Sequence, residues 1–527
     1  MAKEHREVER KFEVSGDLPL PSLDEVADVA TVDEPVVHQL AATYFDTEDL
    51  ALAAHHVTLR RRTGGEDAGW HLKLPAGLDT RHEIQLPLGR AVRTVPTALR
   101  VAVQLYARGA ALAPVAVLET HRTVHRLRDA DGVVLAEVSD DRVTARTSVP
   151  ATGQARATEV ISEWREWEVE LVDGKRRHLK QASRTLTNAG AVPARSLSKL
   201  GRALGDGALA APLDKLEGRG ATPVTEGRRS GATPKGAAAV VHARLREQVA
   251  ELKFQDPFVR GDAEDAVHDM RVAMRRLRSA LATFRPLFDH TRTEPLRTEL
   301  QWIAGVLGEA RDAEVMAMRL RALVAEQPAE LLIGPVLERI DDDLAARYRE
   351  AHDRSVAAMQ SPRYHELVDR LDELVAHTPW APAPGGDADE VLLARVKHED
   401  KRLRKRVTAA AEATDRAERD ELLHEVRKAA KRARYAAETV ESRYGQAASD
   451  YSSAAKEVQS VLGDQHDAVV TLRVLRELAV RAHQAGQDTF TLGRLHAIEE
   501  ARAEELVTAY DEVWANAKAT KLRRWMH

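Results

Sequence analysis

The sequence predicts an α+β chain of two domains: an N-terminal antiparallel β-rich domain closed into a barrel, with a few helices, and a C-terminal all-α domain made by duplication. Three observations predict it. Up to about residue 203 the chain is a series of short, often alternating segments separated by turn residues, the signature of strands. From about residue 236 the composition shifts to Ala, Leu, Arg and Glu at helical spacing, and strand signals vanish. Within that helical half, "HDMRVAMRRLR" at His268 returns as "HEVRKAAKRAR" at His424, and "LGEARDAEV" at Leu307 returns as "LGDQHDAVV" at Leu462. The two motif pairs repeat at offsets of 156 and 155 residues, which chance does not readily supply.

Composition bounds the rest. A chain of 527 residues exceeds what one core organises. It has no cysteine, so disulfides, thiolate metal sites and thiol nucleophiles are excluded. The start, "MAKEHREVERK", is too charged for a secretory signal, and no stretch approaches the roughly 18 apolar residues of a membrane span. A cytoplasmic location is the expectation. The net charge of −5 argues against a polyanion ligand, but 31% of residues are charged, so local segregation outweighs the sum. Aromatic residues make up only 4%, which counts against single-stranded nucleic acid as the main ligand.

The strand segments run "HREVERKFEV", "TYFDT", "VTLRRR", "GWHLKLP", "RHEIQLPL", "THRTVHRLR", "VVLAEVSDDRV" and "EWREWEVELVDG", with "TALRVAVQLYARG" and "KRRHLKQASRTLTNAG" reading as helices. The stretch from Glu217 to Ala238 is rich in Gly, Thr and Pro and reads as a linker. This divides the chain into a domain over 1–205, a linker over 206–235 and a helical domain over 236–527. A break from His377 to Glu390 splits the last into repeats of about 236–376 and 391–517.

Side chains two apart on a strand share a face. Glu7, Glu9 and Lys11 therefore project together, away from Val8 and Phe12. The pattern recurs on nearly every strand: Arg60 with Arg62; His71 with Lys73; Arg81, Glu83 and Gln85; Arg122 with Arg126; Glu137 with Asp141; Glu166, Glu168 and Glu170. Clustered charges of both signs on so many strands suit a closed barrel with a charged lumen better than a sheet face in bulk water. Glu7, Glu9, Glu168 and Glu170 would form a hard-oxygen site suited to Mg²⁺ or Mn²⁺. The arginines and lysines would hold a chain of phosphates against it. No P-loop sequence is present.

In the helical half, His268, Arg271, Arg275 and Arg278 span roughly 80° of a helix, beside a core stripe of Met270, Met274, Leu277, Leu281 and Phe284. The second copy places His424, Arg427, Lys431 and Arg434 at the same offsets, with Lys428 and Arg432 beside them. A third run, "RVKHEDKRLRKR", carries seven Lys or Arg, among them Lys397 and Lys401. Like charges stacked at i, i+3 and i+4 repel, so a duplicated stripe reads as a polyanion groove.

"EVERKF", "YFDT", "LRRR", "HLKLP", "RHEIQ" and "WEVEL", in that order over residues 4–203, resemble the CYTH superfamily of triphosphate tunnel metalloenzymes. The resemblance implies an antiparallel eight-stranded tunnel that hydrolyses inorganic triphosphate or a related triphosphate, or cyclises ATP. By position it implies Glu7, Glu9, Glu168 and Glu170 as metal residues, with Glu166 beside them. Lys11, Arg60, Arg62, Lys73, Arg122 and Lys199 become phosphate contacts, and Glu7, Glu9 and Lys11 the catalytic set. Gln85 departs from the family's R-x-E-x-E, which bears on metal stoichiometry and substrate choice, and the placement of Glu137, Asp140 and Asp141 is ambiguous by one residue. "HDMRVAMRRLR" with "LGEARD", and their second copies, resemble the CHAD domain over about 236–515, implying two pseudo-symmetric four-helix bundles with a basic surface for inorganic polyphosphate. That surface would use His268, Arg271, Arg275, Arg278, Lys397, Lys401, His424, Arg427, Lys428, Lys431 and Arg434, with Asp312 and Asp467 as buttresses. The expected function is metal-dependent triphosphate hydrolysis coupled to polyphosphate binding. A non-catalytic polyphosphate adaptor and an adenylate cyclase are the alternatives.

Overall fold

A computed structural model describes residues 3–77, 79–89, 93–149, 158–196, 198–205, 236–381 and 388–526. The chain divides into two compact units, Met1–Thr225 and Glu226–His527. The linker expected over 206–235 and residues 382–387 of the break before the second repeat lie outside the described residues.

The first unit is built on ten strands: β1 (Lys3–Val14), β2 (Thr31–Val32), β3 (Val36–Asp46), β4 (Thr58–Thr63), β5 (Gly69–Gly77), β6 (Thr80–Leu86), β7 (Ala113–Arg128), β8 (Val134–Val149), β9 (Thr158–Leu171) and β10 (Val192–Pro193). Eight of them form an antiparallel ring in the order β1-β6-β5-β4-β3-β7-β8-β9, closed by a β1–β9 pairing. β1 closes it by changing partner along its length. Lys3–Val8 pairs with β6, and Glu9–Val14 pairs with β9. The seam thus falls between Val8 and Glu9, which puts Glu7 and Glu9 side by side where the sheet meets itself.

Alternation sorts the side chains in the sense opposite to an ordinary sandwich. Phe12, Leu127, Ala136, Val138, Trp167 and Val169 point outward and pack on Leu179, Ala182 and Leu186 of a helix over Arg176–Asn188. The charged residues between them point inward. At one end the inward positions turn apolar: Ala42, Tyr44, Ala116, Leu118, Val143 and Ala145 meet Leu200, Ala203 and Leu204 of a short helix over 199–205. That helix fills this end of the barrel and delivers Lys199, its first residue, to the lumen.

The second unit is helical throughout. Its main helices are α1 (Gly236–Arg260), α2 (Ala266–Thr283), α3 (His290–Ala325), α4 (Val336–Met359) and α5 (Pro362–Ala376), then α6 (Ala388–Glu412), α7 (Arg416–Tyr444), α8 (Gln446–Gln484) and α9 (Phe490–Ala517). Several starts are capped: the side chains of Asp289, Ser361 and Asp415 accept backbone N–H groups two or three residues on. Gly445, at φ +55°, makes the direct turn from α7 into α8. The apolar stripe of α2 is buried as expected, with Met270, Met274, Leu277 and Leu281 at 0% exposure. The repeats also share core: Met316, Leu320 and Leu323 of α3 and Ile340 and Leu344 of α4 pack with Leu475 and Leu478 of α8 and Leu492 and Leu495 of α9. Among the described residues no helix is long and apolar enough to cross a membrane.

Candidate functional site

The barrel encloses a cavity of about 320 Å³, lined by the ten residues given metal or phosphate roles above, Glu7, Glu9, Lys11, Arg60, Arg62, Lys73, Arg122, Glu168, Glu170 and Lys199, while His71, Asp141 and Glu166 of the same-face sets lie outside its lining. The cations are held by the carboxylates. Lys73 Nζ donates to both Glu7 oxygens at 2.7 and 2.5 Å. Lys11 donates to Glu9 at 2.8 Å and also to Glu168. Lys199 Nζ lies 2.5 Å from Glu168, 2.7 Å from Glu166 and 2.9 Å from Asp141. Arg122 grips Asp141 in two-pronged fashion at 2.8 and 2.6 Å and reaches Glu168 at 2.5 Å. Arg60 donates to the Tyr44 hydroxyl at 3.3 Å, and Arg62 pairs with Asp67.

Burial sharpens these pairings. It opposes the charge on Glu9, but Lys11, Lys73 and Arg81 prevail and hold the carboxyl at about 2. Glu168 is held well below the usual carboxylate range because Lys11, Lys199 and Arg122 outweigh its burial. The same balance raises Lys73, Lys199 and Arg122. Arg62 goes the other way: burial, then Arg60 and Arg122, push it down to about 9. Arg62 is thus the cation of this stretch that its neighbours press hardest, while Tyr44, Glu83 and Glu7 raise Arg60 against its burial.

Glu170 is the exception on the acidic side. It has no hydrogen bond or ion pair among the described residues, and burial followed by Glu7 and Glu9 raises it to about 8. Carboxylates near enough to share one ion group in two sets, His5–Glu7–Glu170 and Asp141–Glu166–Glu168. The second set is already occupied by Lys199. The first holds an uncompensated oxygen donor beside a second carboxylate, which is the donor chemistry of a hard divalent cation. Glu9, grouped with these by sequence, belongs to neither set.

The lumen also contains residues to which the sequence assigned no role. Tyr44 partners Arg60, and His5 and His71 flank Glu83 at 3.1 and 2.8 Å. The ambiguity among Glu137, Asp140 and Asp141 is resolved by alternation. Asp141 faces Arg122 and Lys199, while Asp140 faces outward to Arg165 at 2.7 Å and Glu137 pairs with Arg126 at 2.8 Å. Gln85 lines the cavity where the family pattern has a carboxylate.

In the helical unit the two basic stripes meet. Burial, then Arg275, Arg427, Arg271 and Arg434, push the Lys431 amine down to about 7, so residues of α2 and α7 act on one another as a single surface. Arg278 and Arg432 are both lowered, first by burial, then by Arg297 for Arg278 and by Arg402 for Arg432. Arg271 Nη1 donates to the Gly308 carbonyl and to Asp312, each at 3.3 Å. A Cβ on Gly308 would come within 3.1 Å of the Arg271 guanidinium, and one on Gly463 within 3.5 Å of that of Arg427. The glycine of each "LG" motif thus seats the first arginine of its stripe. Asp312 fits the buttress expected of it. Asp467 makes no ion pair to Arg427 among the described residues.

Burial lowers His268, helped by Arg311 and Arg275. His424 falls to about 4, by burial first and then by His466, whose ring lies 4.4 Å away in the position Arg311 holds in the first repeat. Arg434 is tied to Glu438 at 2.7 Å and Lys428 to Glu425 at 2.8 Å. Lys397 and Lys401 stand exposed on α6, and neither makes an ion pair or hydrogen bond to the stripes among the described residues.

The CYTH domain family model matches residues 5–202, and the CHAD domain model matches 243–476. The chain belongs to the CYTH–CHAD family. Its relatives include the uncharacterized proteins Rv2226 and MT2285 of Mycobacterium tuberculosis, each 40% identical over 509 residues, 95% of this chain and 94% of theirs. Among solved structures it is similar to PptA from Streptomyces chartreusis, at 24% identity and TM-score 0.46 over 54% of this chain and 100% of that one. It is also similar to the CHAD domain of the plant Ricinus communis, at 24% and 0.43 over 56% and 97%. CYTH domains are triphosphate tunnel enzymes that work with divalent metals. In this CYTH domain the residues fit a cation best at Glu7 and Glu170.

Proposed function

We propose that the CYTH lumen hydrolyses inorganic triphosphate or a related triphosphate, and that the paired stripes of the CHAD domain bind inorganic polyphosphate. The observation that carries the first half is a closed lumen whose cations are neutralised by carboxylates while Glu170 stays unpaired. A linear triphosphate entering it offers oxygens to the ammonium and guanidinium groups. Lys11 and Lys199 then exchange carboxylate partners for phosphate partners, and Arg122 contributes a planar fork. Glu7 and Glu170 would hold a divalent cation, which when bound supplies neutralisation of the phosphate charge and activation of water. Arg60 and Arg62 take up charge on the phosphate chain, and Glu9 keeps Lys11 and Arg81 aimed into the lumen.

The test is phosphate release by the full chain from triphosphate, ATP and long-chain polyphosphate, with Mg²⁺, Mn²⁺ or chelator. Release from triphosphate that requires metal and falls at least about a hundredfold in Glu7→Gln and Glu170→Gln is expected. Full activity in the folded double variant would sink the metal assignment. Binding of polyphosphate without any turnover of triphosphate would instead favour the adaptor.

A further inference from the structure

Lys11, Lys73, Arg122 and Lys199 are held by carboxylates that stand on strands of the ring, Glu7, Glu9, Asp141, Glu166 and Glu168, and all five of these are buried. Arg62 is held differently. It is itself buried, and among the described residues it pairs with one anion, Asp67. Asp67 stands on the turn over 64–68 that joins β4 to β5, and its side chain is 48% exposed. The backbone of that turn is fixed. Gly64 has φ +80°, and a Cβ on it would lie 2.0 Å from the Gln39 carbonyl oxygen, an approach that only glycine allows. The Asp67 carbonyl accepts from the ring of buried His71 at 2.9 Å and from Gln85 at 3.4 Å. Gly65, Glu66 and Asp67 line the cavity beside His38 and Leu40, away from the end filled by the helix over 199–205. A fixed turn thus delivers a carboxylate to Arg62 while leaving about half of it in water, so letting go costs it little solvation.

We propose that Asp67 is a displaceable counter-ion of Arg62, a positioning residue that competes with the substrate's phosphate for that guanidinium and returns to it as product leaves. The inference rests on the reading of Arg62 as a phosphate contact. No covalent step is involved: the guanidinium exchanges one anionic partner for another. A carboxylate tethered on the same hairpin faces Arg62 at high effective concentration, so any phosphate group that takes its place binds more weakly by a constant factor. A triphosphate withstands that factor because its other phosphates meet Lys11, Lys199 and Arg122. The fragment left on Arg62 after cleavage has fewer such contacts, and the returning carboxylate displaces it. Asp67 therefore gives up affinity in exchange for release of product.

The experiment compares the full chain with its Asp67→Asn and Asp67→Glu variants. All three carry Arg271→Glu and Arg427→Glu, so that titration reports the lumen rather than the helical surface. Calorimetric titration with triphosphate and with pyrophosphate, chelator present, should show Asp67→Asn binding both about five- to tenfold more tightly, and Asp67→Glu close to the parent. In turnover with Mg²⁺ or Mn²⁺, Asp67→Asn should lower KM and kcat together, and pyrophosphate should inhibit it at lower concentration. A residue that merely shapes the turn would give the opposite sign, because Arg62 would lose its support. Unchanged or weaker binding in Asp67→Asn overturns the proposal. A lower KM with kcat unchanged would uphold the competition and overturn product release as its use. In an Arg62→Gln background Asp67→Asn should change nothing; tightening that persists there overturns Arg62 as the group through which Asp67 acts. If Arg62→Gln alone leaves triphosphate affinity unchanged, Arg62 is no phosphate contact and the proposal falls with that reading. Binding that behaves as expected without any turnover would uphold the counter-ion and count against hydrolysis alone.

Discussion

Gly308 and Gly463 occupy equivalent places, but their neighbours sit at different distances, and this yields a sharp expectation. A methyl group on Gly308 meets Arg271 at 3.1 Å, too close to keep the guanidinium where it is; on Gly463 it meets Arg427 at an ordinary 3.5 Å. Gly308→Ala should therefore weaken polyphosphate binding about three- to tenfold, because one displaced guanidinium forfeits a charge-assisted contact. The same change should raise stability by about 0.5–1 kcal/mol, since alanine is the better helix former. Gly463→Ala should stabilise without the loss. In an Arg271→Lys background the binding effect of Gly308→Ala should vanish, because a slim ammonium needs no seat. Thermal melts and calorimetric titration of the four variants check both signs. The motif "LG" is visible in the sequence, but its use is not. It depends on how closely a side chain from another helix approaches, and no local pattern encodes that distance.

At the scale of elements, the strand alternation was legible because it is a period of two imposed by the pleat, and each charged set fell on the lumen side as a block. Asp46 in "YFDT" shows where legibility stops. It is fully buried at the end of β3, and its carboxylate accepts the backbone N–H groups of Thr47, Leu52 and Ala53 at 2.7 to 2.9 Å. It thus pins the turn that carries the chain into β4, which holds Arg60 and Arg62. Asp46→Ala would leave three donors unsatisfied and should lower stability by about 3 kcal/mol or more in urea unfolding, with Asp46→Asn intermediate. A stability change below about 1 kcal/mol would rule out this role. The basic run of α6 marks the opposite case: its charge is plain in the sequence, yet Lys397 and Lys401 stand exposed on their own helix without a bond to the stripes.

At the scale of the whole molecule, the duplicated stripes meet, since α2 and α7, the helices that carry them, pack on each other. Two independent half-sites would let a chain with one stripe reversed keep half its capacity at saturation. One shared surface should not. Arg271→Glu with Arg275→Glu, and separately Arg427→Glu with Lys431→Glu, should each lower polyphosphate affinity by at least about a hundredfold, and the logarithm of affinity should fall less steeply with salt as phosphate contacts are lost. Retention of half the binding capacity at unchanged affinity in either variant would instead establish separate sites.

The sequence by itself determined which residues face the lumen, that the helical half is double, and which turns of helix carry the cations, because periods of 2 and 3.6 and a repeat offset are properties of the chain. Tertiary structure alone decided who partners whom. That Glu168 collects Lys11, Arg122 and Lys199, that Glu170 is left without a cation, and that Lys431 lies among four arginines all follow from closure of a ring and the packing of two repeats. Those events bring together residues more than 150 positions apart, and at such separations the strength of a charge pair depends on distance and burial, which no one-dimensional pattern records.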